Sequence, residues 1–90
     1  MAVLIDHPSW PAHGTVWSHL VSNVSLDELH AFTAAQNVPP RAFDLDHYDV
    51  PAASYEALVA AGAQPVTYRE LVTQLRASGL RVTMRERRGL

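Results

Sequence analysis

Two short stretches hold most of the groups that could do chemistry. The first is Asp6-His7-Pro8-Ser9-Trp10-Pro11-Ala12-His13-Gly14, running on to His19; the second is Asp44-Leu45-Asp46-His47-Tyr48-Asp49. Together they carry four of the five histidines and four of the nine acids. Carboxylates crowded together repel unless a cation, a proton or an arginine sits among them. Carboxylate oxygens are the natural ligands of Mg²⁺ or Mn²⁺. Asp6, Asp44 and Asp46 are therefore the expected metal ligands, with His13 or His47 assisting proton transfer and His19 supporting the loop from behind the ligands. Structural roles compete with these. Asp6 could equally brace the loop after it through backbone N–H groups. Asp49, just before Val50-Pro51, reads as a turn residue. In extended chain Asp44 and Asp46 point to one side, Leu45 and His47 to the other. His13 and His19 are separated by six positions across Gly14, which is no recognised ligand spacing. Trp10 and Trp17 read as packing residues beneath the loop.

Positioning those groups falls to elements whose boundaries are partly written in the sequence. Ser25 and Thr67 stand as N-caps, with Glu28 and Glu70 three residues on and the pairs Val24/Leu29 and Val66/Leu71 spaced as hydrophobic staples. The first capped helix is expected to run to Gln36 with Asn37 in the left-handed conformation, and the second to Ser78, ended by Gly79-Leu80. Ser54 caps a shorter helix that stops at Gly62, and Val16–Ser22 reads as another short helix. Strands are expected at Ala2–Ile5, Ala42–Leu45 and Leu80–Met84, with Ala63–Val66 as a fourth. Helices between strands favour crossovers, hence an α/β fold with a small, mostly parallel sheet of three to four strands and flanking helices. In such a sheet ligands bind beyond the carboxyl ends of strands, where both polar stretches begin. The whole site reading assumes that the first two strands run side by side in the same direction.

The chain's 90 residues, 48% hydrophobic, suit a single core, with residues 1–84 as one domain and 85–90 as a short basic tail. With no cysteine, disulfides, thiolate catalysis and Cys-type zinc sites are excluded, and a cytoplasmic location is expected. The start, Met1-Ala2-Val3-Leu4-Ile5-Asp6, resembles neither a signal peptide nor a membrane anchor. The net charge of −2 is uneven, because Arg41 is the sole basic residue before Thr67, whereas six arginines follow it. Arg69 occupies the first turn of a capped helix, where a cation is disfavoured, so an acid of the cluster or a phosphate is expected to face it. Arg81 and Arg85 are further candidates for phosphate or partner contact. Glycine-rich phosphate loops, dinucleotide fingerprints, His-Glu-x-x-His pairs and nucleophile elbows are all missing.

The runs Trp10-Pro11-Ala12-His13-Gly14, Trp17-Ser18-His19-Leu20-Val21-Ser22, Asp46-His47-Tyr48-Asp49-Val50-Pro51 and Arg69-Glu70-Leu71-Val72 give the chain a resemblance. From about Val3 to Val82 it resembles the bacterial DUF4031 family, with Asn23 where that family would be expected to carry an acid. The resemblance implies a bacterial, cytoplasmic, stand-alone domain and no particular activity. Two readings of function follow. One is a metal-assisted phosphoester hydrolase or nuclease-like protein using Mg²⁺ or Mn²⁺. The other is a non-catalytic binding or regulatory module, dimeric, whose His–Asp loops form a hydrogen-bonded scaffold and whose arginine tail meets a partner. Direct nucleic-acid binding through Arg81–Arg88 is a third use of the same tail.

Overall fold

Val3–Asp6 forms strand β1, and all four of its residues are buried. The structure, a computed structural model, describes residues 2–82. After β1 come β2 (Trp10–Ala12), β3 (Thr15–Ser22), α1 (Leu26–Ala35), β4 (Phe43–Asp44), β5 (His47–Pro51), α2 (Tyr55–Ala60), β6 (Gln64–Val66) and α3 (Tyr68–Ser78). Single 3₁₀ turns at Pro40–Ala42 and Ala52–Ser54 precede β4 and α2. The six strands form one sheet in the order β4-β5-β3-β1-β6, with β2 paired to β3.

The α/β class is as expected, but the sheet is mostly antiparallel and has six strands. β1–β3, β2–β3, β3–β5 and β4–β5 are antiparallel, and the parallel pair among the described residues is β1–β6. Two tight reversals explain the difference. His13 and Gly14, at φ 50° and 80°, turn β2 back into β3. Leu45, at φ 59°, turns β4 back into β5. A pair of positive-φ residues matches the twist of an antiparallel hairpin, and Gly14 supplies one of them without strain.

Val16–Ser22, expected as a helix, belongs to β3. Its apolar residues fit a helical stripe, yet Trp17, His19 and Val21 alternate with Ser18, Leu20 and Ser22 at the strand period. Pairing to β1 and β2 on one edge and β5 on the other makes β3 central, so both of its hydrogen-bonding edges are occupied. The two strands expected to lie side by side are in fact separated: β1 and β4 have β3 and β5 between them. The expected strand Leu80–Met84 is also absent over residues 80–82, and 83–84 lie outside the described residues.

Each sheet face has its own core. Val3, Ile5, Leu20, Tyr48 and Val50 pack with Leu29 of α1 and Leu58 of α2. Leu4 and Val21 pack on the other face with Leu71 and Leu75 of α3. The helix caps form largely as read. Ser25 Oγ accepts the Glu28 N–H at 3.0 Å, and Thr67 Oγ1 accepts that of Glu70 at 3.1 Å. Asn37 and Gly79 are left-handed, at φ 60° and 82°. Glu28 does not complete a capping box, however. Its carboxylate accepts from Ser22 Oγ at 2.5 Å, and Ser22 Oγ in turn accepts the N–H of Ser25. Val24 is exposed rather than stapled, and Ser54 makes no side-chain cap. Among the described residues no helix is long and apolar enough to cross a membrane.

Candidate metal centre

The face of the sheet beneath α3 is apolar at one end and polar at the other. Strand parity decides which side chains share it. Leu4 pairs with Val21, and the same register carried two residues along sets Asp6 opposite His19. His19 in turn pairs directly with Asp49 of β5, and His47 lies two residues from Asp49 on the same strand face. Three strands therefore deliver Asp6, His19, Asp49 and His47 to one patch.

Asp6 is nearly fully buried and spends both oxygens on His19. Oδ1 accepts the His19 backbone N–H at 2.6 Å, and Oδ2 lies 2.8 Å from the ring Nδ1. Asp46, fully buried in the β4–β5 turn, treats His47 in the same way. Its Oδ1 is 2.7 Å from His47 Nδ1, and its Oδ2 accepts the Val82 N–H at 2.7 Å. Each carboxylate thus makes Nδ1 the donor and turns Nε2 of that imidazole outward, where the neutral ring has its lone pair. The two rings stand edge-on at 5.4 Å between centroids, flanked by Trp10 and Tyr68 at 5.9 and 5.3 Å from His19.

The remaining carboxylate is Asp49. His47 Nε2 lies 3.0 Å from Asp49 Oδ1, yet that oxygen is buried with no hydrogen-bond partner. Two polar atoms this close and misaligned for a hydrogen bond have the separation of neighbours on one ion, since ligands about 2.0–2.2 Å from a metal lie roughly 3–3.5 Å apart. One ligand atom each from His19, His47 and Asp49 fall within 4.8 Å of one another, close enough for these three residues to hold a metal ion. Two imidazoles with one carboxylate suit Zn²⁺, Fe²⁺ or Mn²⁺ better than Mg²⁺, which prefers oxygen throughout.

Comparison with known families matches residues 3–78 to DUF4031, described as a protein of unknown function. The chain belongs to the DUF4031 family. No curated protein and no solved structure matches it. In this DUF4031 chain the residues singled out from sequence take distinct positions. Asp6 and Asp46 each anchor a histidine, and His19 and His47 face the common point. Asp44 is half-buried at the end of β4. Asp44 and Asp46 do not alternate along one strand, because Leu45 and Asp46 form the turn between β4 and β5. His13 is exposed in the β2–β3 turn, away from the His19–His47–Asp49 group. Arg81 NH1 approaches Asp46 Oδ2 to 3.7 Å, Arg69 is exposed on the first turn of α3, and Arg85 lies outside the described residues. Asp49, read as a turn residue, is instead in mid-strand. Its signal was the period-two spacing His47-x-Asp49, which places both on one face once the segment is known to be a strand.

Burial alone would push His47 down, but the hydrogen bond to Asp46 and the charges of Asp49, Asp46 and Asp44 outweigh it and hold the imidazole above its ordinary 6.5. Burial pushes Asp46 up, whereas the His47 hydrogen bond, the Val82 N–H and the charges of His47 and Arg81 hold it below its ordinary 3.8. A raised histidine contributes stability that is complete below its unfolded pKa and lost as pH climbs through the folded one. A lowered aspartate contributes stability that is complete above its unfolded pKa and lost as pH falls through the folded one. The pair therefore stabilises metal-free DUF4031 protein most between about pH 3.8 and 6.5. Urea midpoints of metal-free protein are expected to decline as pH rises above 6.5, and this decline is expected to vanish in His47→Gln. A decline of equal size in the variant would assign it to another group.

Proposed function

We propose that this protein is a metal-dependent phosphoester hydrolase whose divalent ion is held by His19, His47 and Asp49. The observation that carries the reading is the pair of anchored imidazoles, each with Nδ1 held by a buried carboxylate, converging with a buried Asp49 oxygen that accepts no hydrogen bond. Outer carboxylates of this kind orient metal-binding histidines and raise their basicity.

Three protein ligands leave coordination positions for water and a substrate oxygen, and a bound divalent ion acidifies that water and polarises a phosphoryl group. Beside the ligands lies a small pocket of about 190 Å³, lined by His19, His47, Tyr68 and Arg81 over an apolar floor of Val21, Leu71, Val72, Leu75 and Val82. Its polar rim is rich in donors, the side chains suited to phosphate oxygens, and contains no carboxylate to repel them. Arg81 neutralises charge on the phosphoryl group, and Tyr68, exposed at the start of α3, offers its hydroxyl from across the pocket. The apolar floor excludes water from the far side and strengthens those contacts. The roles first read for Asp6 and Asp46 thereby move outward, from ligands to the groups that aim them.

Chelator-stripped full-length protein is expected to regain hydrolysis of p-nitrophenyl phosphate on adding Zn²⁺ or Mn²⁺, with little recovery from Mg²⁺. Arg81→Ala should raise KM several-fold with the metal still bound. Hydrolysis that survives stripping, or metal-loaded protein that releases no p-nitrophenol, would count against the assignment.

A further inference from the structure

A second, larger recess adjoins the proposed centre. It is a groove of about 850 Å³, within the range of small-ligand sites, and Asp49 lines it while also belonging to the metal-binding group. Both tryptophans of the chain, Trp10 and Trp17, line it too. They form a cross-strand pair of β2 and β3, stacked with centroids 6.1 Å apart. Trp17 Nε1 donates to the Ala12 carbonyl at 2.9 Å, which fixes the plane of that indole. Trp10 in turn stacks on His19, so the aromatic surface reaches a proposed metal ligand. Gln36, Asn37 and Arg41 also line the groove. The two side-chain amides make no hydrogen bond and Arg41 makes no ion pair among the described residues. Arg41 is also the one basic residue of the first 66, so the single cation of an acidic stretch is in this groove.

We propose that this groove is the specificity subsite and takes a nucleobase, making the substrate a nucleoside monophosphate. The inference rests on the metal-centre reading for its phosphate end. An aromatic pair offers a stacking surface, the amides and Arg41 can read the polar edge of a base, and the phosphate is left to the metal and Arg81. A single-stranded nucleic acid is disfavoured, because a polyanion needs a basic track and the groove is lined by two aspartates, Asp44 and Asp49, against one arginine.

Because both tryptophans line the groove, intrinsic fluorescence reports on it directly. Full-length protein is titrated with adenosine, cytidine, their 5′-monophosphates and ribose 5-phosphate, with and without Zn²⁺. Saturable quenching by at least one nucleoside is expected even without metal, and its monophosphate should bind about tenfold tighter than ribose 5-phosphate, the low end of what base stacking contributes. Arg41→Ala, at an exposed position, should weaken nucleoside and monophosphate binding alike, whereas Arg81→Ala should weaken monophosphate binding about tenfold and leave nucleoside binding unchanged. If neither nucleoside quenches and the monophosphates bind no better than ribose 5-phosphate, the base site is overturned, while Zn²⁺-restored p-nitrophenyl phosphate hydrolysis would still uphold the metal centre. Quenching without any metal-restored hydrolysis would do the reverse. A ten-nucleotide single strand that binds more tightly than any monophosphate, with steep salt dependence, would overturn the mononucleotide.

Discussion

An Asp49→Ala variant is expected to keep its fold and lose its metal, binding Zn²⁺ more than ~100-fold more weakly than the parent, beyond the effect of removing an outer partner. The two halves of that result have separate causes. In the metal-free protein Asp49 contributes little to stability: its side chain is partly exposed, its Oδ1 has no hydrogen-bond partner, and its contact with His47 is misaligned. An ion pair in such a setting is worth about 0–1 kcal/mol, so the thermal midpoint should barely move. With metal present, Asp49 is the single carboxylate among the three proposed ligands, and two imidazoles alone cannot replace it. Calorimetric titration with Zn²⁺ beside thermal unfolding of stripped protein reads both quantities. A variant that unfolds far below the parent but still binds Zn²⁺ as tightly would reverse the roles given to Asp49.

Asp46→Ala should show the opposite balance. Asp46 is fully buried and holds two groups at once, the His47 ring and the backbone N–H of Val82. Removing it leaves a buried imidazole and a backbone donor without their acceptor. Breaking a buried pair on one side costs about 3 kcal/mol. For a domain of this size that corresponds to a fall of roughly 12–24 °C in Tm. Asp46→Asn keeps a carbonyl oxygen for one of the two donors and should recover part of the loss. Both variants should also weaken Zn²⁺ binding about 10–100-fold, because the His47 ring is no longer aimed. Equal stability of parent and Asp46→Ala in a chelator would show that the buried carboxylate does not brace the turn.

The helix ends were legible in the sequence because they depend on neighbours a few residues away. Ser25, Thr67, Asn37 and Gly79 act locally, and each adopts the conformation its type favours. The sheet was harder to read because its deciding residues are ambiguous. Leu45 turns the chain at φ 59°, although nothing about a leucine announces a turn. Trp17, Leu20 and Val21 fit either period, and the central place of β3 between two partners settles the choice through long-range pairing. The mistaken parallel sheet still drew attention to Asp6, Asp46, His19 and His47, since their concentration in two stretches did not depend on strand direction. Asp49 was missed because its nearness to His19 arises only across the β3–β5 register.

The central claim is that His19, His47 and Asp49 bind one ion together. X-ray absorption at the zinc edge of full-length protein loaded with one equivalent of Zn²⁺ tests it most directly. The expected spectrum has two imidazole nitrogens and carboxylate or water oxygens at about 2.0–2.2 Å, losing one imidazole in His19→Ala. A spectrum with no imidazole contribution, or one unchanged by His19→Ala, would contradict it.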